Sequence, residues 1–222
     1  MIETRISVVA IAGVLFLATG VLPQEQMMKV KGGHELGESA EQFFAEGHEK
    51  EALDACATGN FKSIDKPSRR ILKQYCSQLT DARQQAISGK RTEYKGDGDS
   101  TDMRTDTFTF EQDRLIKVQL LFAAPSAEEN YRGQTFAQIF AGMKQAYGPP
   151  TSEHTEQVQD AFGVPYLTHR ELWESPQAVL LITEQVARWP EDHGSTALTA
   201  FTRAEYDRNM TSGVQRNPSP LR

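Results

Sequence analysis

The chain has 222 residues and a mass of 24.8 kDa, room for one sizeable domain or at most two small ones. Hydrophobic residues at 38% and charged residues at 24%, with only 10 prolines and 16 glycines, exclude global disorder and a fibrous repeat. A formal charge of -6 argues against a general nucleic-acid binder, which draws its affinity from Lys and Arg neutralising phosphates, so no nucleic-acid partner is expected.

Residues 6–22 carry no charge, Arg5 stands just before them, and Pro23-Gln24-Glu25-Gln26 follows. A basic start, an apolar core and a polar exit are the parts of a secretory signal, and the small residues Ala18 and Gly20 allow cleavage after Gly20. The rival reading is an uncleaved signal anchor, for which the run is at the short limit of a membrane span. No Cys lies near its end, so a lipid-anchored lipoprotein has no attachment residue. The expected layout is a signal peptide or anchor over 1–22, one α+β domain over 23–207 and a disordered tail over 208–222. The destination is the periplasm or the extracellular space, and the membrane is touched only through an uncleaved N-terminal segment.

Met28 to Gly33 reads as a short edge strand. Ser39 followed by Gln42 forms a capping-box pattern, in which each side chain satisfies a backbone N–H of the other residue, so a helix should run from Ala40 toward Cys56 and bury Phe43, Phe44, Ala52 and Leu53. Gly59-Asn60 ends it. A second helix begins after Asp65 with Pro67 in its first turn, and Ile71, Leu72, Tyr75, Cys76 and Leu79 recur at helical spacing. Cys56 and Cys76 are the only cysteines. An even count after an export signal points to a disulfide, and here it would lock the helical hairpin.

Beyond Gly89 the period changes to 2. Arg91–Lys95 is a strand candidate, Phe108 and Phe110 share one face of Thr105–Glu111, and Gln112-Asp113-Arg114 turns the chain. Ile116, Val118, Leu120 and Phe122 then line an apolar face. Thr135 and Gln138 cap the next helix, whose stripe is Phe136, Ile139, Phe140, Met143 and Tyr147. Gly148-Pro149-Pro150 stops it. A polar loop is expected over Thr151–Gly163, then strands over Tyr166–Glu174, Ala178–Val186 and Ser195–Tyr206. The fold class is α+β, with helices packed on one face of an antiparallel sheet, and the order suggests two related helix-then-three-strand halves.

The stretch from Phe108 to Trp173 pairs a hairpin of the form F-x-F…L-x-x-V-x-L-x-F with a helix ending in Tyr147-Gly148-Pro149 and a Trp-bearing strand. It resembles the helix-then-sheet modules of SmpA/OmlA-type outer-membrane assembly accessories and the duplicated β-lactamase-inhibitor-protein architecture. The resemblance implies a fold and carries over no functional residue.

The five histidines form no H-E-x-x-H or other close metal pair. His169 and Glu171, two apart on a strand, would share a face, and with His154 or His193 they are the one combination of residue types that suits zinc. A solvated strand face is the plainer reading. No G-x-S-x-G elbow is present, and Ser88-Gly89-Lys90 lacks the rest of a phosphate loop, so no cofactor is expected. Gly96–Asp102 is acidic but lacks the Glu of a calcium loop, and reads as a hairpin turn. Lys66, Arg69, Arg70 and Lys73 read as a solvated helix face. Trp173 should pack in the sheet. Trp189, in a loop before Pro190, is either a lid over the sheet edge or an anchor for a partner. The resulting expectation is a non-enzymatic envelope protein that binds another envelope protein. The alternatives are an unrecognised hydrolase or metal-dependent enzyme using His154, His169, Glu171 and His193, or a small-ligand binder.

Overall fold

The computed structural model describes residues 26–30, 33–62, 66–96, 104–123, 135–159, 165–185 and 195–216. The N-terminal apolar run, the acidic stretch 97–102, Trp189 and His193 lie outside them. Among the described residues no helix is long and apolar enough to cross a membrane.

A short 3-10 turn over Gln26–Met28 leads to α1 (Ala40–Ala45), α2 (Gly47–Thr58) and α3 (Lys66–Ile87). A first meander follows, β1 (Thr92–Gly96), β2 (Arg104–Glu111) and β3 (Arg114–Ala123). Helix α4 (Phe136–Tyr147) opens the second half, with β4 (Ser152–Gln159), β5 (Pro165–Glu174), β6 (Ala178–Gln185) and β7 (Ser195–Thr202), and the chain continues into α5 (Arg203–Arg216). The strands form one antiparallel sheet in the order β1-β2-β3-β7-β6-β5-β4. This is the expected α+β class. The first half is three helices and a three-strand meander and the second is α4 and four strands, one more than expected; each meander starts at a sheet edge and works inward.

The capping boxes at Ser39–Gln42 and Thr135–Gln138 are both formed. Phe43, fully buried, touches the rings of Phe44, Tyr94, Phe108 and Phe110, so α1 is set onto β1 and β2 by aromatic edge-to-face contacts. At the other end Ile139 and Met143 of α4 are buried with Leu180 and Ile182, and Trp173 donates its Nε1–H to the Gly148 carbonyl at 3.0 Å. One core cluster runs along this face from Phe110 to Trp173.

Five local expectations change. The helix from Ala40 breaks at Glu46, which is extended, because Gly47 takes φ +60 and restarts the helix as α2. Of the expected edge strand Met28–Gly33, residues 31 and 32 lie outside the described residues, and the rest makes a single Lys29–Glu35 bridge, with Leu36 N–H bonded to the Met28 carbonyl, rather than joining the sheet. The polar stretch read as a loop contains β4, whose residues Ser152 to Gln157 are all exposed and which is held by its pairing with β5 rather than by burial. In β3 a register shift opposite Thr109 and Phe110 brings Leu115 into the main core, while Ile116 is buried outside that core cluster. Finally, the last strand stops at Thr202, and Arg203–Arg216, read as strand end and the first part of a disordered tail, form α5, while 217–222 lie outside the described residues.

Helix α5 lies on the opposite face from α1 to α4. Phe201 alternates with core residue Ala200, so it points the other way, and its ring meets Tyr206 of α5 at 5.8 Å while Lys117 Nζ covers it at 5.9 Å. A ring of alternating charges fastens this helix. Arg91 pairs with Glu111 and Glu205, and Arg208 pairs with the same two carboxylates. Glu205 is 1% exposed, and although burial opposes its charge, Arg91, Asn209 and Arg208 hold its carboxyl below the usual range. Arg203 anchors the helix start, donating to the Ser175 carbonyl and to Glu174.

Cys56 of α2 and Cys76 of α3 form the disulfide, with Cα atoms 5.5 Å apart. It closes a segment with a sequence separation of 20. Reduction, or a Cys76→Ser variant, is expected to lower unfolding stability by roughly 3 kcal/mol in the chain-entropy estimate. Urea unfolding with and without reductant checks this, and identical midpoints would refute it.

Candidate functional site

The pleat decides which of the histidines and carboxylates meet. Register pairs Thr155 with His169 and Glu153 with Glu171, so these four share the face under α4. His154 pairs with Arg170, and both point to the opposite face. The combination of His154 with His169 and Glu171 is therefore not assembled, and His193 lies outside the described residues. Among the described residues no group of three or more His, Cys, Asp and Glu is arranged to hold a metal ion.

What the fold does bring together is an acidic cluster at the β4 edge. His169 is half-buried, with Nδ1 3.2 Å from the Thr155 hydroxyl, Nε2 3.7 Å from Glu184 and its ring 5.7 Å from Phe136. Glu171 is 6% exposed, and its Oε2 has no hydrogen-bond partner. Burial pushes its carboxyl upward and the charge of Glu153 adds to this, against smaller opposing effects of His169 and Lys144. Lys144 Nζ sits over the Phe140 ring, 5.1 Å from its centroid. Glu153, Glu184, Thr155 and Lys144 were not foreseen. Glu153 and Thr155 were missed because β4 was read as a loop.

A second buried charged group lies at the other end of the same face. His34 is 4% exposed and stacks on Phe43 at 4.1 Å, with Nδ1 2.8 Å from Glu38 and Nε2 3.5 Å from Glu49. Burial alone would lower its pKa, but the two carboxylates override this and raise it to about 9. His34 is thus an imidazolium at neutral pH, clamping the segment before α1 to α2. Sequence spacing hinted at the Glu38 contact, four residues on. The Glu49 contact depends on the Gly47 break.

On the opposite face, two cross-strand rows run from exposed or half-buried ends through the buried Ala197 and Thr199 of β7. One runs Thr107, Gln119, Thr199, Leu181, Leu172, and the other Leu121, Ala197, Thr183, Arg170, His154. Leu121 is 37% exposed, while Leu172 and Leu181 are half-buried. A shallow open groove of about 770 Å³ lies between α2 and α3, with the disulfide and Leu53 in its wall and Lys50, Asp54, Asp81 and Arg83 around it.

No protein-family model, curated protein or solved structure matches this chain. Its chemistry has to be read from the geometry alone.

Two pH responses follow. The folded pKa of His34 exceeds the unfolded value of 6.5, so its stabilisation is complete below about pH 6.5 and is lost as pH rises through about 9. The urea midpoint should fall across that window, and the fall should shrink in His34→Phe; an unchanged fall would refute the clamp. For Glu171 the folded pKa is also raised, but here the charged form is the disfavoured one. Its contribution is best in acid and declines as pH rises through the folded value. Glu171→Gln is therefore expected to melt higher than the parent at neutral pH and to lose that advantage in acid. A variant less stable at neutral pH would show that the carboxylate is paired after all.

Proposed function

We propose that this is an exported, disulfide-stapled, non-enzymatic module that binds another protein of the cell envelope through its sheet. The observation that carries the reading is the exposed Leu121 and the half-buried Leu181 and Leu172 on the sheet face away from α1 to α4. Apolar side chains left part-exposed on a regular sheet face offer flat contact area. The Cys56–Cys76 bridge supports an oxidising compartment. The uncharged run over 6–22 supports export, and the likeness to envelope assembly accessories points the same way. A catalytic reading has less support, because His154 falls on the opposite face of the sheet from His169 and Glu171.

The test is a cross-linked pull-down from the native envelope fraction with the tagged chain, a Leu121→Glu variant and a Trp189→Ala variant. A reproducible partner lost in Leu121→Glu supports the Leu121 face of the sheet as the contact. Loss in Trp189→Ala alone would move the contact to that loop. Recovery of no specific partner would overturn the reading.

A further inference from the structure

We propose that the outer edge of β4 accepts an extended basic segment of a partner protein as an added strand, placing a lysine or arginine beside Glu153 and Glu171. This rests on the reading of the protein as an interaction module, and names a second surface for it. Three observations converge on this edge. First, β4 ends the sheet and pairs only with β5 among the described residues, so one row of its backbone groups has no strand partner. Its pairing with β5 is continuous from Ser152 to Gln159, with no bulge and no proline to turn a visiting strand away.

Second, carboxylates gather on the α4 side of this edge where an added strand would lie, while Arg170 stands beside His154 on the opposite face. On the α4 side the β4 residue is Glu153, its neighbour across the pair is Glu171, and Glu184 stands one strand further in, beside His169. Glu156 adds a carboxylate on the opposite face of β4. These acids discourage a like-charged edge and favour a basic one.

Third, Glu171 is buried with one oxygen unpartnered, an arrangement that costs stability unless a cation arrives. Lys144 does not supply that hydrogen bond, since Oε2 has none, and its ammonium lies over Phe140. Strands in a sheet are about 4.8 Å apart, so a residue on the added strand stands roughly 10 Å from the β5 backbone. An extended lysine or arginine and a glutamate together span that distance, with Glu153 as the first contact. A metal ion is a poorer occupant, because the described ligands do not gather for one.

The test is isothermal titration of the full chain with a synthetic twelve-residue peptide of alternating Thr and Lys. The same composition in two blocks and an alternating Thr-Glu peptide serve as controls, and hydrogen exchange maps the site. The expected result is binding of the alternating basic peptide alone, with slowed exchange at β4 amides. Affinity should fall about tenfold in a Glu153→Gln/Glu171→Gln double variant, the loss expected for two ion pairs at a partly exposed site. Leu121→Glu should leave peptide binding unchanged. Equal binding of the block peptide, protection mapping away from β4, or no binding of the basic peptide would overturn the proposal. So would dimerisation of the chain alone with β4 protected, which would give the edge to a second copy. A Leu121-dependent partner in the pull-down, found without peptide binding, would sink this inference and leave the module reading standing.

Discussion

The pairing of β3 with β7, from Lys117 opposite Phe201 to Ala123 opposite Ser195, joins two locally connected meanders into one sheet. Because the two strands align in that register, Val118, Ala200 and Leu180 fall in line, and the aromatic cluster of the first half continues into the Trp173 region of the second. The same register sends Lys117, Phe201 and Val179 to the other face. A helix that follows β7 and closes over Phe201 must lie there, away from the other four. Leu121 and Leu181, part-exposed, lie on that same face.

Elements whose signals are local were legible in the sequence. The helices capped by Ser39 and Thr135, the Gly59 and Gly148 stops, the alternation in β2 and the strand runs of β5 and β6 are written within a few residues of where they act. The disulfide was legible from cysteine count and apparent export. What escaped was defined by partners distant in the chain. Strand β4 has no buried residue from Ser152 to Gln157 to reveal a period, and exists because β5 offers it a ladder. The Leu115–Ile116 exchange comes from a bulge that periodicity cannot see. Helix α5 has a polar sequence with no apolar stripe, yet Thr202 followed three residues later by Glu205 was a usable start signal, and the Glu205 backbone N–H does bond to the Thr202 hydroxyl at 3.4 Å. Half of the candidate site was visible, since His169 and Glu171 do share a face. Once β4 is recognised as a strand, its parity removes His154 and supplies Glu153.

The three most buried ionisable side chains in these clusters show three different resolutions of one difficulty. His34 gains two carboxylates and becomes more firmly charged. Glu205 gains two arginines and an amide, and its charge is likewise held. Glu171 has an unpaired oxygen and a carboxylate neighbour, so its charge is disfavoured. The first two fasten segments that local sequence would leave loose, namely the lead-in to α1 and the C-terminal helix. Glu171 fastens nothing among the described residues, and such exceptions to pairing concentrate at sites selected for something other than stability.

The charge ring around α5 also has a mechanical meaning. Arg91 stands immediately before β1, at the sheet edge of the first half, while Glu205 and Arg208 belong to the last helix of the second. A pull on the C-terminal end of α5 would therefore pass through the ring to Arg91 and Glu111, and through Arg203 to the β5–β6 turn, loading both meanders together rather than peeling β7 from its neighbours one bond at a time. Opposed hydrogen bonds and ion pairs sharing a load in this way resist tension as a group.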